Sequence, residues 1–287
     1  MRVLITGGAG QLGRDLAEAL GPLAFALDRF ECDITNPASV EAAVERIRPD
    51  AIVNAGAWTD VDGCEADPER ARLANADGAG NVARAAGDAL VVQVSTDYVF
   101  DGRAGRAYTE ADPTNPLSEY GASKLEGEAQ VASAARRWAV VRSAWLYGVG
   151  TRNFVAAILR AARTRERLQV VDDQVGSPTS TPDLAAALMT LMERGATGVM
   201  HGVNAGECSR FEFARTIFSA AGLDPARVEP VSTEAMPRPA ARPAYAPLDG
   251  VAWRAAGLPV LREWRAALRD VVPGVIHALD AEAAAAR

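Results

Sequence analysis

Four glycines crowd the turn after the first apolar run, and they narrow the fold more than any other feature of the chain. Val3–Thr6 reads as a short buried strand, Gly7, Gly8, Gly10 and Gly13 follow, and Gln11–Leu20 has the period of an amphipathic helix. The spacing satisfies GxGxxG from Gly8 and GxxGxxG from Gly7 alike. Both serve one physical end: missing side chains let the backbone approach a pyrophosphate, and the helix N-terminus offers free N–H groups at its positive dipole end. No Gly-Lys-Ser/Thr follows, so a nucleotide-triphosphatase phosphate loop is excluded. The strand, glycine turn and helix together predict a dinucleotide site for NADPH or NADH.

The rest of the first half repeats that alternation. Apolar runs at 23–27, 51–54, 90–95 and 139–142 are separated by helical patterns at 37–47, 68–86 and 118–134. Strands alternating with helices of this length imply βαβ units and a parallel sheet, and continuous apolar strands imply helices on both faces. The predicted fold is therefore α/β, a Rossmann-type doubly wound sheet over residues 1–145. From 146 to 287 the rhythm loosens: helical patterns at 154–163, 182–193 and 211–220 are broken by loops, and 236–247 holds four prolines and two arginines. A smaller substrate lobe is expected there, with some segments returning to the first domain and a frayed helical tail over 280–287.

Composition excludes several partner classes. A formal charge of −7 argues against nucleic acid as the main partner, although a local arginine cluster can still hold a phosphate. No apolar run reaches the roughly eighteen residues of a membrane span, and the N-terminus reads as a buried strand instead of a secretory signal. Cys32, Cys64 and Cys208 are odd in number and form no CxxC pair, as expected of a cytoplasmic protein. His201 and His277 are far apart in sequence, so no His/Cys metal site is expected.

The positive side chains carry a sharper signal. Lys and Arg total 30, and Lys124 is the one lysine among them. A surface needing only a solvated cation would here carry arginine, so the retained lysine points to a task for which a planar guanidinium is unsuited. Tyr120 precedes it by four residues, and on a helix the two side chains share a face. An ammonium so placed favours the ionised phenol. Lowering a tyrosine by about three pKa units takes roughly 4 kcal/mol of differential stabilisation. The expected source is Lys124, aided by the positive nicotinamide of oxidised cofactor. Asp28 closes the second strand where an acid would bond the adenosine ribose, but Arg29 follows and suits a 2′-phosphate. The sequence leaves NAD and NADP open.

Taken together, the glycine loop, Asn54-Ala-Gly-Ala57, Ser95-Thr-Asp97 and Tyr120-x-x-x-Lys124 resemble the extended short-chain dehydrogenase/reductases that act on nucleotide sugars. Longer stretches, Ser-Thr-Asp-Tyr-Val-Phe-Asp-Gly at 95–102, Ser-Ala-Trp-Leu-Tyr-Gly at 143–148, Asp-Asp-Gln-Val-Gly-Ser-Pro-Thr at 172–179 and the Arg-Pro pairs at 238–243, are similar to the dTDP-4-dehydrorhamnose reductase family. The resemblance covers the chain to about residue 270 and implies reduction of the C4 ketone of a dTDP-4-keto-6-deoxysugar in dTDP-rhamnose biosynthesis. It also assigns roles. Gly7 and Gly10-Gln11-Leu12 would meet the pyrophosphate, Asp28 the adenosine ribose, Asp33-Ile34 the adenine, and Ala55-Gly56-Ala57 the ribose side. Thr96, Tyr120 and Lys124 would be catalytic, with Tyr120 and Lys124 also touching cofactor. Asp97 and Trp145, with Thr96 and Tyr120, would contact the sugar. Asn75 matches the position of a structural asparagine.

Departures from the pattern choose among relatives. Dehydratases of this superfamily carry an acid after the Thr-Asp pair, to expel water, whereas Tyr98 stands here. An epimerase, which keeps its NAD, and a non-catalytic regulatory subunit are the alternatives to a reductase. The intact catalytic set opposes the subunit. Some relatives are magnesium-linked dimers whose carboxylates include one after a C-terminal tryptophan. Here Trp264 is followed by Arg265, with Glu263, Asp15 and Asp183 as the remaining acids, so a magnesium bridge is not expected and a homodimer is only a candidate assembly.

Overall fold

The computed structural model describes residues 1–150 and 152–285. Six parallel strands form the central sheet in the spatial order Gly198–His201, Arg137–Ser143, Leu90–Thr96, Ala51–Asn54, Val3–Thr6, Ala24–Leu27. The strands are continuously apolar because both faces are covered. Val3, Ile5, Val53 and Val92 enter one core with Leu12 and Leu16 of the helix Gln11–Leu20 and with Leu184 and Leu188 of the helix Thr181–Arg194. Leu4, Ile52 and Val91, one residue out of step, enter the other, against Val40, Val82 and Val131. Each such side chain contributes roughly 1.5–3 kcal/mol on burial, so a one-residue slip of any strand is strongly disfavoured.

The order reverses between Val3–Thr6, which leads outward to Ala24–Leu27, and Ala51–Asn54, which leads to the other edge. A ligand crevice belongs at the carboxyl ends of strands at such a switch point. A buried polar ladder fixes the register there: the Thr6 hydroxyl donates to Asn54 at 2.6 Å, and Asn54 Nδ2 donates to Gln93 at 2.7 Å.

The sequence pattern over 68–86 predicts one helix, but the structure interrupts it. Pro68–Arg72 and Gly78–Ala85 flank a π-helical turn, Leu73–Asp77. Within that turn Asn75 accepts from the Trp58 N–H at 2.8 Å and donates to the Trp58 carbonyl and the Ser123 hydroxyl, each at 3.1 Å. These bonds tie the turn to a neighbouring loop and helix, and π-helical turns of this kind are frequent at functional sites.

Later segments make a second core from Tyr147, Phe213, Phe218, Trp264 and Leu268, with rings packed edge-on and tilted. The Tyr147 hydroxyl donates to the Trp264 carbonyl at 3.1 Å, joining this core to the C-terminal helix Trp264–Ala285. Thr181–Arg194 packs into the core beside the sheet, and Gly198–His201 forms the sheet's outer strand. No helix among the described residues is long and apolar enough to cross a membrane.

Candidate active site

The glycine turn is packed too closely for side chains. A Cβ on Gly7, whose φ is +68°, would lie 2.7 Å from the Gly56 nitrogen, and one on Gly13 would lie 2.4 Å from the Gly7 carbonyl oxygen. Gly7 and Gly56 thus bring the ends of the first and third strands together. Gly10, cap of the helix Gln11–Leu20, supplies no side-chain acceptor, so the first-turn N–H groups of Gln11 and Leu12 are not capped by it, as a phosphate cradle requires. The residues present fit a dinucleotide.

Beside the glycine turn, Ile34 is buried with its Cδ1 toward Gly56, and the Ala55–Ala57 loop is half-buried next to it. Asp33 is tied down by Thr35, and its carboxyl lies below the usual carboxylate range because the Thr35 bonds and Arg29 outweigh burial. Asp28 caps its own turn: Oδ1 accepts from the N–H groups of Phe30 at 2.8 Å and Glu31 at 3.0 Å. That local bond orients the acid, while the exposed Arg29 lies 3.7 Å from Asp33.

Tyr120 and Lys124 lie on the helix Glu119–Ala134, whose first turn is anchored by Ser118 and by Glu65, which accepts from the Glu119 N–H at 2.8 Å. Gly121 lets this helix approach the strand end: a Cβ there would fall 2.2 Å from the Tyr98 carbonyl oxygen. Thr96 ends its strand immediately before. It donates to Asp97 at 3.1 Å, and the Tyr98 ring meets Tyr120 edge-on at 5.5 Å. Lys124 Nζ donates to the Val94 carbonyl at 2.7 Å.

The electrostatics differ from the simple Tyr–Lys expectation. Burial raises the Tyr120 phenol well above its ordinary value, the Thr96 hydroxyl opposes that, and Asp97 adds to it. Lys124 is itself pushed down to about 8 by burial, with Glu128 pulling it back up. Desolvation therefore dominates both groups, and the ammonium is turned to a backbone carbonyl. Asp97 is pushed up to about 6, again by burial, against the field of Arg210 and its bond with Thr96.

Trp145 adopts φ +47°, uncommon for a non-glycine residue, which sets its ring between Gly176 and the Arg210 guanidinium, 3.5 Å from the ring centroid. Arg210 faces a cavity of about 340 Å³ that also exposes Tyr98, Phe154, Gln174, Arg238 and Arg242. Sequence reading noticed the Arg-Pro loop, Tyr98 and Trp145 but missed Arg210 and Phe154. Nothing local marks them, because the loop and the helix Arg210–Ala220 converge only in the fold.

The loop is clasped by Asp62 of the short helix Val61–Ala66. Arg238 reaches its carboxylate at 2.6 Å, Arg242 at 3.0 Å, and the Ala240 N–H donates at 3.1 Å. Those bonds, led by Arg242, hold the carboxyl far below the usual range. The acids weighed for magnesium are otherwise engaged: Asp183 by Arg262 and Asn204, Glu263 by Arg265, and Asp15 by Thr181. Among the described residues no three metal-ligating side chains gather.

The family model of the RmlD substrate binding domain matches residues 1–276. A dTDP-4-dehydrorhamnose reductase of Streptomyces griseus is 43% identical over 285 residues, covering 96% of this chain and 94% of that protein. A dTDP-4-keto-6-deoxy-D-glucose reductase of Streptomyces niveus is 43% identical over 278 residues, covering 95% and 96%. The solved dTDP-4-dehydrorhamnose reductase of Bacillus anthracis, in complex with NADP, superposes with a TM-score of 0.91 at 40% identity, over 94% of this chain and 98% of that one. Matched in sequence and backbone over nearly its whole length, the chain belongs to the RmlD substrate-binding domain family.

Proposed function

We propose that the chain is an NADPH-dependent reductase that converts the C4 ketone of dTDP-4-dehydro-L-rhamnose to the alcohol of dTDP-L-rhamnose, a precursor of cell-surface polysaccharide. The observation that carries this reading is that Tyr120, with the Thr96 hydroxyl beside its own and Lys124 one helical turn on, packs against Tyr98, which lines a cavity bearing Arg210, Arg238 and Arg242. A proton donor stands next to a site suited to a nucleoside diphosphate. The names of the Streptomyces griseus and Bacillus anthracis relatives support the substrate. Residues 1–145 would serve the cofactor and 146–287 mainly the sugar, in a cytoplasmic protein whose three cysteines are buried and unpaired. A homodimer is the candidate assembly, to be checked by sedimentation.

The bound cofactor would supply hydride to the ketone carbon. Tyr120 gives its proton to the ketone oxygen, and its raised affinity for that proton keeps it loaded for reduction. As the phenolate forms, the Lys124 ammonium one helical turn away stabilises it. Thr96 donates to the developing alkoxide. NADPH oxidation on adding dTDP-4-dehydro-L-rhamnose tests the assignment; no oxidation at any substrate concentration would refute it. The Streptomyces niveus relative makes dTDP-4-keto-6-deoxy-D-glucose the second substrate to compare.

Two binding predictions follow from the site's edges. Arg29→Ala is expected to raise the KM for NADPH about fivefold, as an exposed charge pair does, and to leave NADH unchanged. Equal effects on both cofactors would remove Arg29 from the 2′-phosphate. Asp62→Asn, which unclasps Arg238 and Arg242, is expected to raise the KM for the nucleotide sugar about tenfold with little change in kcat. An unchanged KM would make the clasp structural only.

A further inference from the structure

We propose that Glu128 is a positioning residue for this reaction: its carboxylate, clamped by Arg142 and Ser95, holds Lys124 as a charged ammonium inside the protein. The proposal rests on the assignment of Lys124 to the chemistry. Tyr120, Lys124 and Glu128 stand four residues apart in turn along one helix and are 9%, 4% and 5% exposed, so they form a single buried row.

The row continues into the sheet. Arg142 Nε lies 3.0 and 3.2 Å from the two Glu128 carboxylate oxygens, and Nη2 lies 2.7 Å from Oε2. The Ser95 hydroxyl donates to Oε1 at 2.5 Å, and Ser95 pairs with Arg142 across adjacent strands. The carboxylate is thus paired with Arg142 on the sheet and stands one helical turn from the buried Lys124, whose ammonium it reaches through its field and not through a direct bond.

A buried Arg–Glu pair alone is replaceable by apolar residues at little expense in stability. Lys124 gives this pair a further consequence. Its ammonium is desolvated, its hydrogen bond to Val94 is to a neutral carbonyl, and the field opposing its loss of charge comes from Glu128. The titratable and charged groups nearby are Tyr120 and Glu128 on its helix, Arg142 on the adjacent strand, and Asp97 at the end of the strand that supplies Val94. Cys64 packs beneath Tyr120. Asp97 acts on Tyr120, and Arg142 is committed to Glu128.

Lys124 is the sole lysine, so protein labelled with carbon-13 at lysine Cε reports its titration as one resonance. Glu128→Gln keeps the shape and an acceptor for Ser95 while removing the charge. The expected result is a fall of about one unit or more in the lysine midpoint, with the alkaline limb of kcat moving down alongside it. That variant leaves Arg142 unpaired, so Glu128→Gln combined with Arg142→Met provides a second test; it should regain stability yet keep the lowered midpoint. An unchanged midpoint in either variant overturns the proposal, as does a parent Lys124 already neutral at neutral pH. A lowered midpoint with an unmoved pH–rate profile makes Glu128 structural and overturns the positioning role. The titration needs no substrate. A parent protein lacking reductase activity would instead overturn the reductase assignment, and the positioning role with it, whatever the midpoint shows.

Discussion

Replacing Tyr120 by phenylalanine is expected to lower turnover about a thousandfold while leaving NADPH affinity nearly unchanged. The ring's edge-on packing against Tyr98 does not involve the hydroxyl, so the helix that carries Tyr120 should hold its place. What is lost is the proton for the ketone oxygen. In the buried site the phenol holds that proton tightly, and neither hydroxyl of the adjoining Thr96–Val99 turn, Thr96 or Tyr98, has a cation one helical turn away. Steady-state rates together with NADPH titration by fluorescence check both halves. Full turnover would assign the proton to another group, and lost cofactor binding would recast Tyr120 as structural.

Lys124→Arg should be nearly as damaging although the charge is kept. The side chain is buried between its helix and the strand Leu90–Thr96, where Nζ meets one carbonyl at 2.7 Å. A guanidinium is larger and planar, so it must displace Val94 or swing away from Tyr120, and overpacking of this kind destabilises by ~1–3 kcal/mol. A shift of about 1 Å in the positive charge is enough for a loss near a hundredfold in kcat. Thermal melting and kcat measured on one preparation separate the two effects. A normal rate would show that the retained lysine has no special task.

Much of this was legible in sequence because it is local. The glycine turn, the continuously apolar strands and the four-residue step from Tyr120 to Lys124 each express one element's geometry, and the strand Val3–Thr6 and helix Gln11–Leu20 have the boundaries that their patterns predict. What escaped depends on distant chain. The strand Gly198–His201 has half its residues partly exposed and is recognisable only through its pairing with Arg137–Ser143. Arg238 finds Asp62 across 176 residues. Glu128 had the right helical spacing, yet its partner Arg142 is set by strand register. The Tyr120–Lys124 pair shows the reverse limit: spacing revealed the neighbours, while the burial that dominates their protonation came only with the packed structure.

The central claim, net reduction of the sugar ketone, is tested most directly by following the hydride. With NADPH deuterated at the transferring position of nicotinamide C4, the account predicts one deuterium at sugar C4 of dTDP-L-rhamnose, formed in step with oxidised cofactor. Deuterium remaining on the cofactor, or a product whose C4 carries no label, would contradict it.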